Sequence, residues 1–131
     1  GTPGDLYVLV RIQEHPLFKR EGEHVILDVP ITFTQAALGA EIEVPSIQGT
    51  VNLDIKAGTQ SGETFRLKGK GIKRLNGSGH GDQFVRVAVE VPKHLTSKQK
   101  ELLKQFEKEE KPDAHPGVTS FLKKVKAILR T

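Results

Sequence analysis

The residues of this chain that first suggest chemistry are five cations, Arg66, Lys68, Lys70, Lys73 and Arg74, interleaved with Gly69 and Gly71 and followed by Gly77, Gly79 and Gly81. They lie in the stretch FRLKGKGIKRLNGSGHGDQFVRV, Phe65 to Val87. Glycine-rich backbone beside lysine is how a phosphate cradle is built, because freed N–H groups and an ammonium converge on one anion. Such a cradle also needs a strand before it, a helix start after it and, in the Walker form, Ser or Thr following the lysine. Here strand patterns flank the glycines on both sides, so their backbone freedom predicts a long hairpin or bulge. The cations have no acidic residue between them. A nucleic-acid-binding β-domain using the basic 66–74 loop is therefore the alternative reading. Stacking rings are scarce for that task, since the chain has six Phe and one Tyr, mostly at core-like positions. A solvated basic edge that discourages strand-on-strand aggregation accounts for the same residues.

Other reactive side chains form no constellation. His15, His24, His80, His94 and His115 are scattered without ligand spacing, and most are expected at the surface. No Ser/His/Asp order carries a nucleophile elbow, and Glu41 and Glu43 alternate along a strand as its solvated face. The absence of cysteine excludes disulfides and thiolate metal sites. The chain is accordingly read as non-enzymatic and without a cofactor.

The elements that carry these residues are mostly strands. At 131 residues the chain fits one domain with appendages and is long enough to bury a core. The net charge of +4 sits in the tail: residues 1–92 hold ten Lys/Arg against eleven Asp/Glu, and residues 93–131 hold ten against five. No run of about eighteen apolar residues exists, and GTPGDLYV lacks a basic segment followed by an apolar one, so no membrane span or leader is expected.

An internal echo organises the body. GDLYVLVRI, Gly4 to Ile12, matches GDQFVRVAV, Gly81 to Val89, with Tyr7 opposite Phe84 and Val8, Val10 and Ile12 opposite Val85, Val87 and Val89. Each is a strand with one apolar face entered through Gly-Asp. The second copy closes a body of strands and the first has none before it, so the expectation is two related domains, of which residues 1–13 keep the final strand of the first. Val25, Leu27, Val29 and Ile31 alternate along EHVILDVPI; AEIEVPS and GTVNLDI flank the turn formers Pro45 to Gly49; ETFRLKG follows AGTQSG. One short helix interrupts the strands, with Thr34 as its expected cap before QAAL and Gly39 at its C-terminus. Pro30 and Pro45 are expected at strand ends.

Beyond Pro92 the period changes. Thr96 and Gln99 have capping-box spacing, and Leu95, Leu102, Leu103 and Phe106 recur at helical intervals. KPDAHPG then breaks the chain, and SFLKKVKAILRT places Phe121, Leu122, Val125, Ile128 and Leu129 on one stripe with Lys123, Lys124, Lys126 and Arg130 away from it. A stripe of that length does not hold a helix alone. Its cover is the chain's own body, the same helix of a second copy, or a membrane surface.

The segments FTQAALG, GTQSG, FRLKGKG and GDQFV, in that order within HPLFKREGEHV to SKQKELL, resemble the C-terminal region of bacterial DnaJ-type co-chaperones. The resemblance covers nearly the entire chain. It implies a mainly β fold, a small two-sheet β-sandwich-like domain with one short helix and a helical C-terminal extension. It divides the chain into 1–13, the end of a preceding related domain, 14–92, the second C-terminal β-domain, and 93–131, a dimerising tail. It implies a cytoplasmic homodimer that holds unfolded polypeptide for a partner DnaK-type heat-shock ATPase, with no membrane or nucleic-acid partner. The clamp residues are then Phe121, Leu122, Val125, Ile128 and Leu129. The client strand offers Val8, with Leu6 and Val10 on its face, although alternating apolar residues more often make a core face. The family's His-Pro-Asp motif is absent, His15 and His115 being followed by Pro-Leu and Pro-Gly, and its zinc-binding cysteines are missing too. Neither ATPase stimulation nor zinc binding is therefore expected of this chain.

Overall fold

The computed structural model describes residues 17–130. Leu6, Val8, Val10, His15 and the first copy of the echo lie outside the described residues. Among the described residues six strands and three helices follow in order: β1 (Phe18–Glu21), β2 (His24–Thr32), α1 (Phe33–Leu38), β3 (Ala40–Ser46), β4 (Gly49–Ile55), β5 (Thr64–Leu67), β6 (Gln83–Glu90), α2 (Ser97–Glu109) and α3 (Pro116–Arg130). The chain folds as two compact units, with the boundary between Pro92 and Lys93.

In the first unit the strands make two sheets, one in the order β1-β2-β6-β5 and one of β3 with β4. Their pairings are antiparallel except at the centre, where β2 and β6 run parallel from Val25 opposite Gln83 to Thr32 opposite Glu90. Parallel neighbours need a crossover, and the chain between them supplies one through α1, the β3-β4 hairpin and β5. Period-two patterning sends Val25, Leu27 and Ile31 of β2 and Val85 and Val87 of β6 inward, while Asp28 and Arg86 stay on the outer face. Leu27, Ile31, Val85 and Val87 of the large sheet, Val44, Leu53 and Ile55 of the small one and Ala36 of α1 form one buried cluster. Both sheets thus share a core, and the expected mainly β two-sheet architecture is what the chain adopts. Burial of each large member contributes about 1.5–3 kcal/mol before ordering costs.

Local details correct three expectations. The cap of α1 is Thr32, not Thr34: its hydroxyl accepts from the Gln35 N–H at 3.2 Å, and the Gln35 side chain accepts from the Thr32 N–H at 2.9 Å. That reciprocal pair satisfies two otherwise free donors, which Thr34 inside the helix cannot do. Gly39 ends the helix at φ +84, donating to the Gln35 carbonyl. Pro30 lies inside β2 rather than at its end, opposite Ala88. It is tolerated because β1 pairs only as far as Leu27, so among the described residues β2 has a single neighbour at Pro30. Finally, the break before the tail helix is shorter than KPDAHPG, because α3 begins at Pro116. Proline suits a first helical turn, where its N–H would have no acceptor. The Thr96–Gln99 capping box forms as the spacing predicts.

Candidate interaction surfaces

The glycine-rich stretch joins β5 to β6, which pair antiparallel from Thr64 opposite Arg86 to Leu67 opposite Gln83. Within this long hairpin a bridge links Lys73 and His80, and the Arg74 N–H donates to the Gly79 carbonyl at 3.0 Å. The base of the loop is locked by Asp82. Its carboxylate accepts from the Gly69 N–H at 2.9 Å and from the Arg66 guanidinium at 2.6 Å. The Gly69 N–H, opposed by desolvation and assisted by Arg66, holds the Asp82 carboxyl below its ordinary pKa. Gly81 before it has no room for a Cβ, which would run into the Glu23 main chain. The Gly-Asp pair of the echo therefore has a physical reason in the second copy: close passage at 81, loop fastening at 82. Sequence reasoning alone reads this pair as a turn, although its repetition is the signal that it does more.

The two arginines of the apparent cationic patch are spoken for. Arg66 pairs with Asp82, and the Arg74 Nε donates to Glu23 at 3.2 Å. Acids distant in sequence thus neutralise part of what looks unbroken along the chain, and nothing favours the nucleic-acid alternative. His24 is half-buried: Nδ1 accepts from the Asp82 N–H at 2.9 Å, and its ring meets Phe84 edge-on at 5.6 Å. Glu41 and Glu43 are exposed on β3 as expected, and among the described residues no His/Cys/Asp/Glu group of three or more is placed to hold a metal.

Strand β6 also shows which face of the echo is interior. The positions matching Leu6, Val8 and Val10 are Gln83, Val85 and Val87, each at 0% exposure. The Gln83 amide ties the sheets together by donating to the Pro45 carbonyl at 2.9 Å. In the second copy that face is core and presents no groove. The opposite face carries a shallow cavity of about 280 Å³ lined by Glu21, Ile26, Thr64, Phe84 and Arg86.

In the second unit the stripe of α3 faces solvent. Phe121 is 63%, Leu122 51%, Ile128 71% and Leu129 79% exposed. Val125 is half-buried. Val118, one turn earlier, extends the same apolar surface at 57% exposure, and the added first turn of α3 is what brings it in. On α2, Leu102 is exposed as well.

A family model described as "DnaJ C terminal domain" matches residues 1–92, and one described as "Chaperone protein DnaJ C-terminal region" matches residues 98–130. The chain belongs to the DnaJ C-terminal domain family. Proteins named Chaperone protein DnaJ are similar to it. That of Ruminiclostridium cellulolyticum is 54% identical over 126 residues, covering 96% of this chain and 33% of its own length. That of Bacillus cytotoxicus is 56% identical over 113 residues, 86% of this chain and 31% of its own. That of Clostridioides difficile is 48% identical over 131 residues, 99% and 34% respectively. The chain spans about a third of the length of these DnaJ relatives. Its DnaJ-like segments meet in space. FTQAALG forms α1 and its end, and GTQSG straps α1 to β6, Gly58 N–H donating to the Ala36 carbonyl at 2.8 Å and Gly62 N–H to the Val87 carbonyl at 2.7 Å. FRLKGKG supplies Arg66 and Gly69, and GDQFV supplies the Asp82 that receives them.

Proposed function

We propose that this chain is the dimerising, non-catalytic part of a DnaJ-type co-chaperone: a rigid β-domain that spaces the client-binding strand from a helical clamp. The exposed apolar stripe of α3 carries the proposal. Phe121, Leu122, Val125, Ile128 and Leu129 pack against the same helix of a second copy, in an isologous contact. Two copies then present two weak apolar client sites, and an unfolded polypeptide long enough to span both is held by avidity. Leu6, Val8 and Val10 contribute to that site together with the preceding domain. The closed core at Gln83, Val85 and Val87 supports a spacer role for the second domain. Residues 1–13 end the preceding domain, 14–92 form the spacer and 93–131 the clamp. In a DnaJ-type protein of the relatives' length the client passes to a DnaK-type ATPase in the cytoplasm.

Light scattering of the chain with and without residues 112–131 tests the clamp. A dimer for the first and a monomer for the second are expected. A monomer in both at tens of micromolar, roughly ten times a Kd of a few micromolar, refutes it. For the client site, Val8→Asp in the full-length protein should reduce suppression of client aggregation while leaving the dimer intact; unchanged suppression removes that strand from the site.

A further inference from the structure

The tip of the β5-β6 hairpin, Leu75 to Ser78, contains the dipeptide Asn76-Gly77, both residues exposed. We infer that Asn76 is a site of spontaneous covalent modification, its side-chain amide converting through a succinimide to aspartate and isoaspartate. The nucleophile is the main-chain nitrogen of Gly77. Base removes its proton as the nitrogen bonds to Cγ of Asn76, and the side-chain nitrogen leaves as ammonia. Water then opens the ring: attack at Cγ gives aspartate, and attack at the main-chain carbonyl gives isoaspartate, whose backbone runs through the extra methylene. The net change is amide plus water to carboxylate plus ammonium, and water is the sole co-reactant.

Two observations favour Asn76. The Asn76 side chain makes no hydrogen bond among the described residues, so its carboxamide need not be released before attack. A glycine after the asparagine puts no Cβ against the approaching carboxamide, and a Cβ built at Gly77 would itself meet nothing within 4 Å, so the tip is open. The chain's other asparagine is an internal contrast. Asn52 is held in the β4 ladder opposite Glu43, and the next residue, Leu53, is buried.

The product places a carboxylate in a loop otherwise rich in cations, and isoaspartate lengthens the tip above the Lys73–His80 bridge. The test is incubation of the whole chain at 37 °C and mildly alkaline pH, with peptide mass spectrometry that separates the two isomers. Expected are a gain of about 1 Da confined to the Asn76 peptide, a rate rising with pH, and a rate comparable to that of the free peptide LNGSG. Gly77→Ala should lose most of the conversion, and Asn76→Gln all of it. The Arg74 amide, which donates to Gly79, should exchange faster with solvent in the isoaspartyl product. Survival of Asn76 in the folded chain while the peptide converts overturns the inference, because the fold then locks the tip. Conversion of Gly77→Ala at the parent rate overturns the proposed route.

Discussion

Replacing Phe121 by Asp puts a carboxylate in the middle of the α3 stripe. Phe121 is 63% exposed, so association withdraws at most about two thirds of its surface from water. Burying a whole large apolar side chain contributes up to ~3 kcal/mol, so the loss at this one position is about 2 kcal/mol. In a two-fold contact each copy carries the change, and a carboxylate left unpaired in an apolar interface adds its own desolvation cost. A single loss of about 2 kcal/mol already weakens the dimer about 30-fold. Val125 is half-buried, so the more exposed Phe121 probes association with less effect on packing within the chain. Sedimentation velocity over a concentration series gives the Kd of both chains, and urea unfolding followed by a probe in the β-domain gives its midpoint. The expected result is a dimer that dissociates at least about 30-fold more readily, with the β-domain midpoint unchanged. A Phe121→Asp chain that dimerises as tightly as the parent refutes the reasoning, and so does a parent chain that stays monomeric throughout.

Other outcomes concern the β-domain. Leu27→Ala removes a side chain at 2% exposure from the shared core, and should cost about 3 kcal/mol in a denaturant titration; a loss under about 1 kcal/mol would mean the sheets do not share that core. Gly81→Ala forces a Cβ against the Glu23 main chain, and should destabilise by about 2 kcal/mol or more, whereas a neutral effect would mean the strands have room to separate. Asp82→Asn tests the loop lock through pH. Because the folded-state pKa of Asp82 lies below its ordinary 3.8, its stabilisation is present above that value and is lost as pH falls through the folded one. The variant should therefore be less stable than the parent at pH 7, and the two should converge below about pH 4; a constant gap from pH 7 to pH 2 contradicts that assignment.

Much of this protein is legible one residue at a time. Alternation through Val25, Leu27 and Ile31 identifies an inward face whatever strand lies beside it, because side-chain period two is a property of the extended backbone. Thr96 with Gln99 is equally local, a four-residue segment closing on itself. The stripe from Phe121 to Leu129 follows from helical period alone. What the chain does not disclose is partnership across distance. Nothing in FRLKGKGIKR says that Arg66 meets Asp82 or that Arg74 meets Glu23, since those acids lie sixteen and fifty-one positions away. Nor does alternation say whether an apolar face is core or groove, and only the small sheet closing over Val85 and Val87 makes it core. Local sequence determines torsions and faces, because these depend on near neighbours. Which faces and charges meet depends on the parallel crossover of β2 and β6, and that is fixed only when the whole chain folds.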